Sequence, residues 1–324
     1  MNKISCVIIH HKGLLINKCL ESLKALDVEK IVVTSDWTWK NNFKDVKRFL
    51  TTYNNPSFKR NIGVSKSNEE YIVFLDDDVE VTPSCIRRMK DLLEGELNIG
   101  MVYATLLKTD NHNIIDTSGS FLTWCGFLNE TYTQRNTFYT PVLSAKSACC
   151  MIRKDLLEKI GGFDNDFVIY GEETDLSWRV WLAGYIVVIR NEAIAYHSSE
   201  TSLKPKDFYN KEFIHYHGCK NYITMLLKNL PYRMFWMVLI NALIWLFMGV
   251  CLWFKNRQAS KWIFRGIWYN IKNLRYILNK RKKINRVSED FYPTIIKNPP
   301  FSYFWVRCKE YLTHKIHTKP NASL

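Results

Sequence analysis

The sequence has no acidic residue from position 255 to 286, and no charged residue of either sign from 234 to 254. It shows no internal repeat and no low-complexity segment, which excludes repeat arrays and long disordered linkers. Its nine cysteines lack the paired spacing of a zinc site: Cys149 and Cys150 are adjacent, and Cys6 lies in an apolar strand-like run. They are expected to be buried free thiols of a reducing compartment rather than a disulfide framework. A secretory signal is not expected either. The apolar run at residues 4–9 is too short for a signal core and reads better as a first strand.

What is present is unevenly placed. The net charge is +14, and eleven Lys or Arg fall within residues 255–286, leaving about +3 for the rest. Basicity of this kind is a local patch suited to an anionic surface at one end of the molecule, not the mark of a nucleic-acid-binding protein. Aromatic residues make up 14%, with eleven Trp, which suggests an interfacial or sugar-facing role. A length of 324 residues allows one large domain or two smaller ones. The composition divides the chain into a mixed domain over 1–230 and a helical region over 231–324.

Residues 1–110 alternate apolar runs with helical patterns. Strands are expected at 4–9, 31–33, 71–75 and 100–107, and helices at 14–26, 46–50 and 82–93, the last with Thr82 as cap and Pro83 in the first turn. Further on, strands are expected at 148–152 and 186–189. Helices are expected at 155–160, stopped by Gly161 and Gly162, at 174–183, stopped by Gly184, and at 205–230, broken at Pro231. Strand–helix alternation predicts an α/β fold with a mostly parallel sheet, whose ligands bind at the carboxyl ends of the strands.

Two acidic motifs carry the chemistry. Asp76, Asp77 and Asp78 end the apolar run Tyr71-Ile72-Val73-Phe74-Leu75, and Glu172-Glu173-Thr174-Asp175 opens a helix about a hundred residues later. Three adjacent carboxylates at a strand end repel one another and lose solvation, so a divalent cation bound to a phosphate is the natural counter-charge. The second cluster can supply a base for a reaction at that phosphate. Adjacent His10 and His11 point to opposite faces of a strand and are not expected to share a metal.

The order of these motifs carries a resemblance. Arg60-Asn61-Ile62-Gly63, Phe74-Leu75-Asp76-Asp77-Asp78-Val79, Gly161-Gly162-Phe163-Asp164, Tyr170-Gly171-Glu172-Glu173-Thr174-Asp175-Leu176, then Arg179, Gly184 and Tyr196-His197 follow one another as in family 2 glycosyltransferases. The rhamnosyltransferase-like branch is the most similar, over roughly residues 1–230. The resemblance implies a GT-A fold and a nucleotide-sugar donor. It makes Asp76 and Asp78 a DxD motif, with Asp78 on Mg²⁺ or Mn²⁺, Asp76 facing the nucleotide ribose or the metal, and Asp77 beside them at the cofactor. It gives His197 the place of a further metal ligand, and Arg60, Asn61 and Asp36 contacts to the nucleotide. It makes Glu173 the general base, at a position where the family carries Asp. The extra methylene leaves Glu172 open as the base.

The uncharged run at 234–254 is long enough to span a bilayer core. Beyond it, Ile263, Ile267, Ile271, Leu274 and Leu278 recur at helical spacing among Trp262, Trp268 and many basic residues, the pattern of a helix on anionic lipid. The basic segment and a nucleotide-sugar site both belong on the cytoplasmic face, which a single crossing does not allow. Monotopic attachment therefore agrees best with the charges, and a single crossing stays open. The expected function is inverting, metal-dependent transfer of a sugar to a hydroxyl of a glycan or lipid-linked acceptor. The alternatives are a polyprenyl-phosphate sugar synthase and an inactive, membrane-anchored protein that binds sugar nucleotides.

Overall fold

The computed structural model describes residues 3–13, 15–132, 136–198 and 211–298. In chain order the elements begin β1 (Ile4–His10), α1 (Leu15–Ser22), β2 (Glu29–Thr34), β3 (Val46–Leu50), α2 (Pro56–Lys66), β4 (Tyr71–Asp76), β5 (Val79–Val81), α3 (Pro83–Gly95) and β6 (Ile99–Lys108). There follow β7 (Ile115–Thr117), β8 (Ser120–Leu122), β9 (Leu128–Glu130), β10 (Tyr139–Pro141), β11 (Cys149–Arg153), α4 (Lys154–Lys159), α5 (Glu172–Leu182) and β12 (Ile186–His197). The chain closes on α6 (Lys211–Asn229), a 3₁₀ turn, α7 (Trp236–Trp253), α8 (Arg257–Lys272), α9 (Leu274–Lys282) and the short α10 (Tyr292–Ile295). Two compact units form. One comprises the described residues up to 120 with 130–198 and 285–288; the other comprises 121–129, 211–284 and 289–298.

The first unit is built on a mixed sheet in the order β10-β12-β6-β11-β4-β1-β2-β3, with β5 on β12 and β7 on β6. β1, β2, β3 and β4 run parallel, as do β6 and β12, while β11 lies antiparallel between β4 and β6. The sheet is therefore mostly parallel but not wholly so. The core follows from the apolar runs: Cys6, Ile8, Val73, Leu75 and Val102 are buried with Ile86, Met89 and Leu93 from α3. A strand covered on both faces needs such a continuous run rather than alternation.

Several sequence expectations need correction. Residues 46–50 form an edge strand, not a helix, because Val46–Leu50 pairs in parallel with β2 residue for residue and tertiary pairing outweighs a short helical pattern. The helix expected over 14–26 ends at Ser22, although Leu23 and Leu26 remain buried in the turns that follow. Thr82 stands at the N-cap of α3 but its hydroxyl donates to the Ile194 carbonyl at 3.0 Å instead of capping. The strand expected at 186–189 continues to His197, past an irregularity between Arg190 and Ile194. Of the helix expected over 205–230, residues 205–210 lie outside the described residues, as do 299–324 of the C-terminal region.

α2 has no apolar stripe to announce it. It starts because the Asn55 side chain accepts the Phe58 N–H and Pro56 occupies the first turn. It sits close on β1 at Gly63, where an added Cβ would stand 2.2 Å from Val7 Cγ1. The second unit packs Cys219, Ile223 and Leu227 of α6 against Trp245, Met248 and Leu252 of α7 and Ile263 of α8. The Arg281 guanidinium donates to the carbonyls of Leu227 at 3.2 Å and Lys228 at 3.1 Å, closing the end of α6.

Gly63→Ala is expected to destabilise the protein by about 1–3 kcal/mol, the usual cost of overpacking a tight contact. A urea unfolding midpoint that does not fall would show that α2 can lift off β1 freely.

Candidate active site

β4 runs through the buried core and ends on Asp76, so Asp77 and Asp78 form the turn at its carboxyl end. α5 begins at Glu172, directly after two residues in the left-handed region: Tyr170 at φ 65° and Gly171 at φ 87°. Glycine takes this conformation freely and tyrosine does not, so local strain presents the acidic pair. The body of α5 is fixed in the core. Thr174 Oγ1 lies 3.0 Å from Ser144 Oγ, Ser177 Oγ lies 2.7 Å from the Tyr103 hydroxyl, and Trp181 Nε1 donates to the Val142 carbonyl at 3.0 Å. Asp175 pairs with Arg179 one turn later at 2.9 Å, and Arg179 also donates to the Ile160 carbonyl at 2.6 Å.

Arg60 joins the two motifs. Its side chain is 2% exposed, with Nη2 2.9 Å from Asp76 Oδ1 and Nη1 3.4 Å from Glu172 Oε1. The guanidinium lies over the Phe163 ring at 5.2 Å. Asn61, the next residue on α2, engages both ends of its amide: Nδ2 donates to the Phe163 carbonyl at 2.8 Å, and Oδ1 accepts the Phe163 N–H at 2.9 Å. The Arg60-Asn61 pair thus fastens the loop after α4 beside the end of β4.

Each aspartate of the trio has a different basic partner. Asp76 holds Arg60; Asp77 Oδ2 lies 2.6 Å from His10 Nδ1; Asp78 Oδ1 lies 3.4 Å from His197 Nε2. His197 reaches Asp78 because β12 pairs antiparallel with β5, with His197 opposite Val79. Its other ring nitrogen lies 2.9 Å from Asp116 Oδ2, which also takes the Lys146 ammonium at 2.8 Å. Burial disfavours the charged imidazole, but Asp116 and Asp78 outweigh it and hold the pKa of His197 up at about 9. The carboxylate repulsion that from sequence calls for an external cation is thus partly relieved by α2, β1 and β12.

Glu172 and Glu173 differ. Glu172 is buried on Arg60, whereas Glu173 keeps partial access to solvent. Burial first, and the neighbouring Glu172 second, push the Glu173 carboxyl well above the ordinary carboxylate range.

A second polar cluster lies at the ends of β1 and β2. Asp36 Oδ1 accepts the Thr38 N–H at 2.8 Å and the Trp39 N–H at 3.2 Å, and Oδ2 stands 3.8 Å from His10 Nε2. Burial works against the charged form of Asp36, but these hydrogen bonds prevail and lower its pKa. Lys59 Nζ donates to the His10 carbonyl at 2.8 Å, Ser35 Oγ at 2.9 Å and Asn54 Oδ1 at 3.0 Å, and burial lowers its pKa to about 8. Sequence reasoning missed Lys59, Asp116 and Lys146. Lys59 had a usable signal, since it adjoins the Arg60-Asn61 motif; Asp116 and Lys146 lie in irregular sequence with no periodicity to mark them.

Among the described residues, no three His, Cys, Asp or Glu side chains converge as a ready-made metal cage. Asp78 and His197 still offer a carboxylate and an imidazole side by side. Mg²⁺-like ions are held by one or two carboxylates with substrate phosphates completing the shell, and imidazole is a suitable ligand for transition dications. The pair fits such an ion in the presence of a diphosphate once the dication takes the place of the His197 Nε2 proton, while Asp76 faces Arg60.

Residues 71–278 match the family described as glycosyl transferase family group 2. No curated protein matches the chain. The crystal structure of GalNAc-T7 with UDP, GalNAc and Mn²⁺ superposes with a TM-score of 0.53 at 14% identity, over 84% of this chain and 57% of that one. The chain therefore spans little more than half the length of that relative. The mannosyltransferase PcManGT from Pyrobaculum calidifontis, in complex with GDP-Man and Mn²⁺, gives a TM-score of 0.50 at 12% identity, over 84% of this chain and 87% of that one. At such identities the likeness establishes the fold, which is GT-A.

Removing the shared cation tests the site's architecture. Arg60→Met should cost about 3–5 kcal/mol at neutral pH, the usual penalty for leaving buried carboxylates without their partner. Urea unfolding at pH 7 reads the loss; a cost below about 1 kcal/mol would mean that the two carboxylates do not depend on the arginine.

Proposed function

The chain belongs to glycosyl transferase family group 2, and we propose that it is an inverting, metal-dependent enzyme acting on a nucleotide-sugar donor. The acceptor is a hydroxyl of a glycan or lipid-linked saccharide, and the donor sugar is of the hexosyl or rhamnosyl kind that the order of motifs suggests. One observation carries the reading: Asp76 at the end of β4 and Glu172 at the start of α5 share the Arg60 guanidinium, at 2.9 and 3.4 Å. This contact supports a reading in which the phosphate-side carboxylates and Glu173, the next residue after Glu172, act in one site.

In this reading the accessible member of the glutamate pair, Glu173, takes the proton of the acceptor hydroxyl. The acceptor oxygen attacks the anomeric carbon from the side opposite the diphosphate. A bond from that carbon to the acceptor forms, the bond to the diphosphate oxygen breaks, and the electron pair leaves with the nucleoside diphosphate. Glu172 stays on Arg60, while the raised pKa of its neighbour Glu173 makes that carboxylate the stronger base. Asp78 and His197 would hold a dication, Mg²⁺ or Mn²⁺, which when bound supplies positive charge to the departing diphosphate. Asp116, accepting from His197, fixes the face that the imidazole turns to Asp78. Asp36, His10 and Lys59 border the position where the sequence resemblance puts the nucleotide. The lipid-linked acceptor would place the work on the cytoplasmic face of a membrane, a reading supported by the apolar and basic segments of the helical unit.

A screen of nucleotide sugars, read as nucleoside diphosphate release with Mg²⁺ or Mn²⁺, tests the activity. Glu173→Gln is expected to lower kcat by about 10²–10⁴-fold with little change in donor KM. The base must be ionised to act, and its pKa is raised. The acid limb of the wild-type kcat/KM profile should therefore lie above about pH 4.3, the ordinary glutamate value, and Glu173→Gln should abolish that limb. Full activity of Glu173→Gln would favour a lipid-phosphate acceptor that needs no base. Asp78→Ala should abolish diphosphate release while leaving the circular dichroism spectrum intact; unchanged turnover would remove Asp78 from the donor site.

A further inference from the structure

The helix that includes residues 232–253 is long and apolar enough to cross a membrane. Its surroundings in the helical unit argue for another arrangement. The inward residues of α7 are Met237, Asn241, Trp245, Met248, Gly249 and Leu252. The outward ones include Leu239, Leu243, Leu246, Phe247, Val250 and Phe254, from 44 to 85% exposed. The two sets fall on opposite sides of one helix at helical spacing. The inward side is specifically packed. Gly249 lies against Phe264 and Ile263 of α8, its carbonyl accepts the Ser260 hydroxyl at 2.6 Å, and Asn241 Nδ2 donates to the Cys125 carbonyl at 3.1 Å.

α8 is thus tied along α7, and it is not apolar. Arg257, Lys261, Arg265 and Lys272 are exposed on it, interleaved with exposed Trp268 and Ile271. α8 is tied equally closely to α6: a Cβ on Gly266 would stand 3.1 Å from the Lys220 nitrogen and the Tyr216 carbonyl. Were α7 to cross a bilayer, α8 and its cations would be drawn into hydrocarbon, at a cost repeated for each charge. Laid flat, the same bundle exposes one apolar face to acyl chains and offers lysine, arginine and tryptophan at headgroup depth.

We propose that the helical unit is an in-plane membrane-docking surface, with the outward face of α7 sunk into one leaflet and the cations of α8 on anionic headgroups. The occupant is an anionic bilayer surface. This inference stands apart from the glycosyl-transfer reading and survives its failure.

Full-length protein is floated with vesicles of phosphatidylcholine alone or with 30% phosphatidylglycerol. Binding should be at least tenfold stronger to the anionic vesicles, weaken in 0.5 M NaCl, and fall at least tenfold in the exposed-face variant Leu243→Glu/Phe247→Glu, whose near-ultraviolet circular dichroism should stay native. Equal binding to neutral vesicles, or undiminished binding by that variant, overturns the proposal. So does a stable dimer in solution that hides the α7 face and leaves the protein unable to float. Orientation is read separately, in a Cys251→Ser/Cys308→Ser background carrying Tyr232→Cys or Lys255→Cys. In sealed proteoliposomes, a membrane-impermeant maleimide should label both positions from the same side. Labelling from opposite sides would establish a crossing and refute the in-plane arrangement.

Discussion

The buried guanidinium of Arg60 is the constraint on which the site depends. It is 2% exposed and is held by two carboxylates that lie about a hundred residues apart in sequence. A cation this far from water is stable only while both anions remain, and the anions are oriented only while the cation remains. The end of β4 and the start of α5 therefore cannot be arranged independently. The aromatic ring of Phe163 beneath the guanidinium and the Asn61 clamp on the same loop extend that dependence to the turn after α4.

The three aspartates show the same economy. Adjacent in sequence, they send their side chains to three elements, where Arg60, His10 and His197 receive them. Each pairing lowers the repulsion among the carboxylates without an added ion, so the turn can be ordered before any donor arrives. Preformed order of this kind favours catalysis because little reorganisation is left for the reacting complex. The strained pair Tyr170 and Gly171 serves the same end at the other motif, setting where the first turn of α5 begins.

Much of this was legible in the sequence, for identifiable reasons. β1 and β4 are apolar runs with no alternation, and the sheet buries both faces of each. α5 could be read from its acidic first turn and from Gly184 after its end. The pairing of the two acidic motifs was legible only as an ordered set of motifs, because no local pattern encodes a contact between positions 76 and 172. Residues 46–50 misled because five residues of mixed polarity fit either period, and only the neighbouring β2 decides between them. Asp116 and Lys146 gave no signal at all: Asp116 is placed by the pairing of β7 with β6, which brings it to His197 at the end of β12, and Lys146 reaches it from an irregular segment. The C-terminal apolar repeat reads as a lipid-facing stripe, yet its first member, Ile263, is spent on packing against α6 and α7, while Ile271 and Leu274 stay exposed.

The geometry of β12 has a consequence for how the chain can vary. The strand starts deep beside β6, passes its irregularity between Arg190 and Ile194, and then places Ala195, Tyr196 and His197 opposite Val81, Glu80 and Val79. Successive side chains of a strand face alternate ways, so His197 reaches Asp78 only for one parity of residues after that irregularity. A single-residue insertion between Ile194 and His197 would turn the imidazole to the far face of the sheet, whereas the same insertion at the bulge could be absorbed as slack. Length changes along this one strand are thus tolerated at its middle and forbidden near its end.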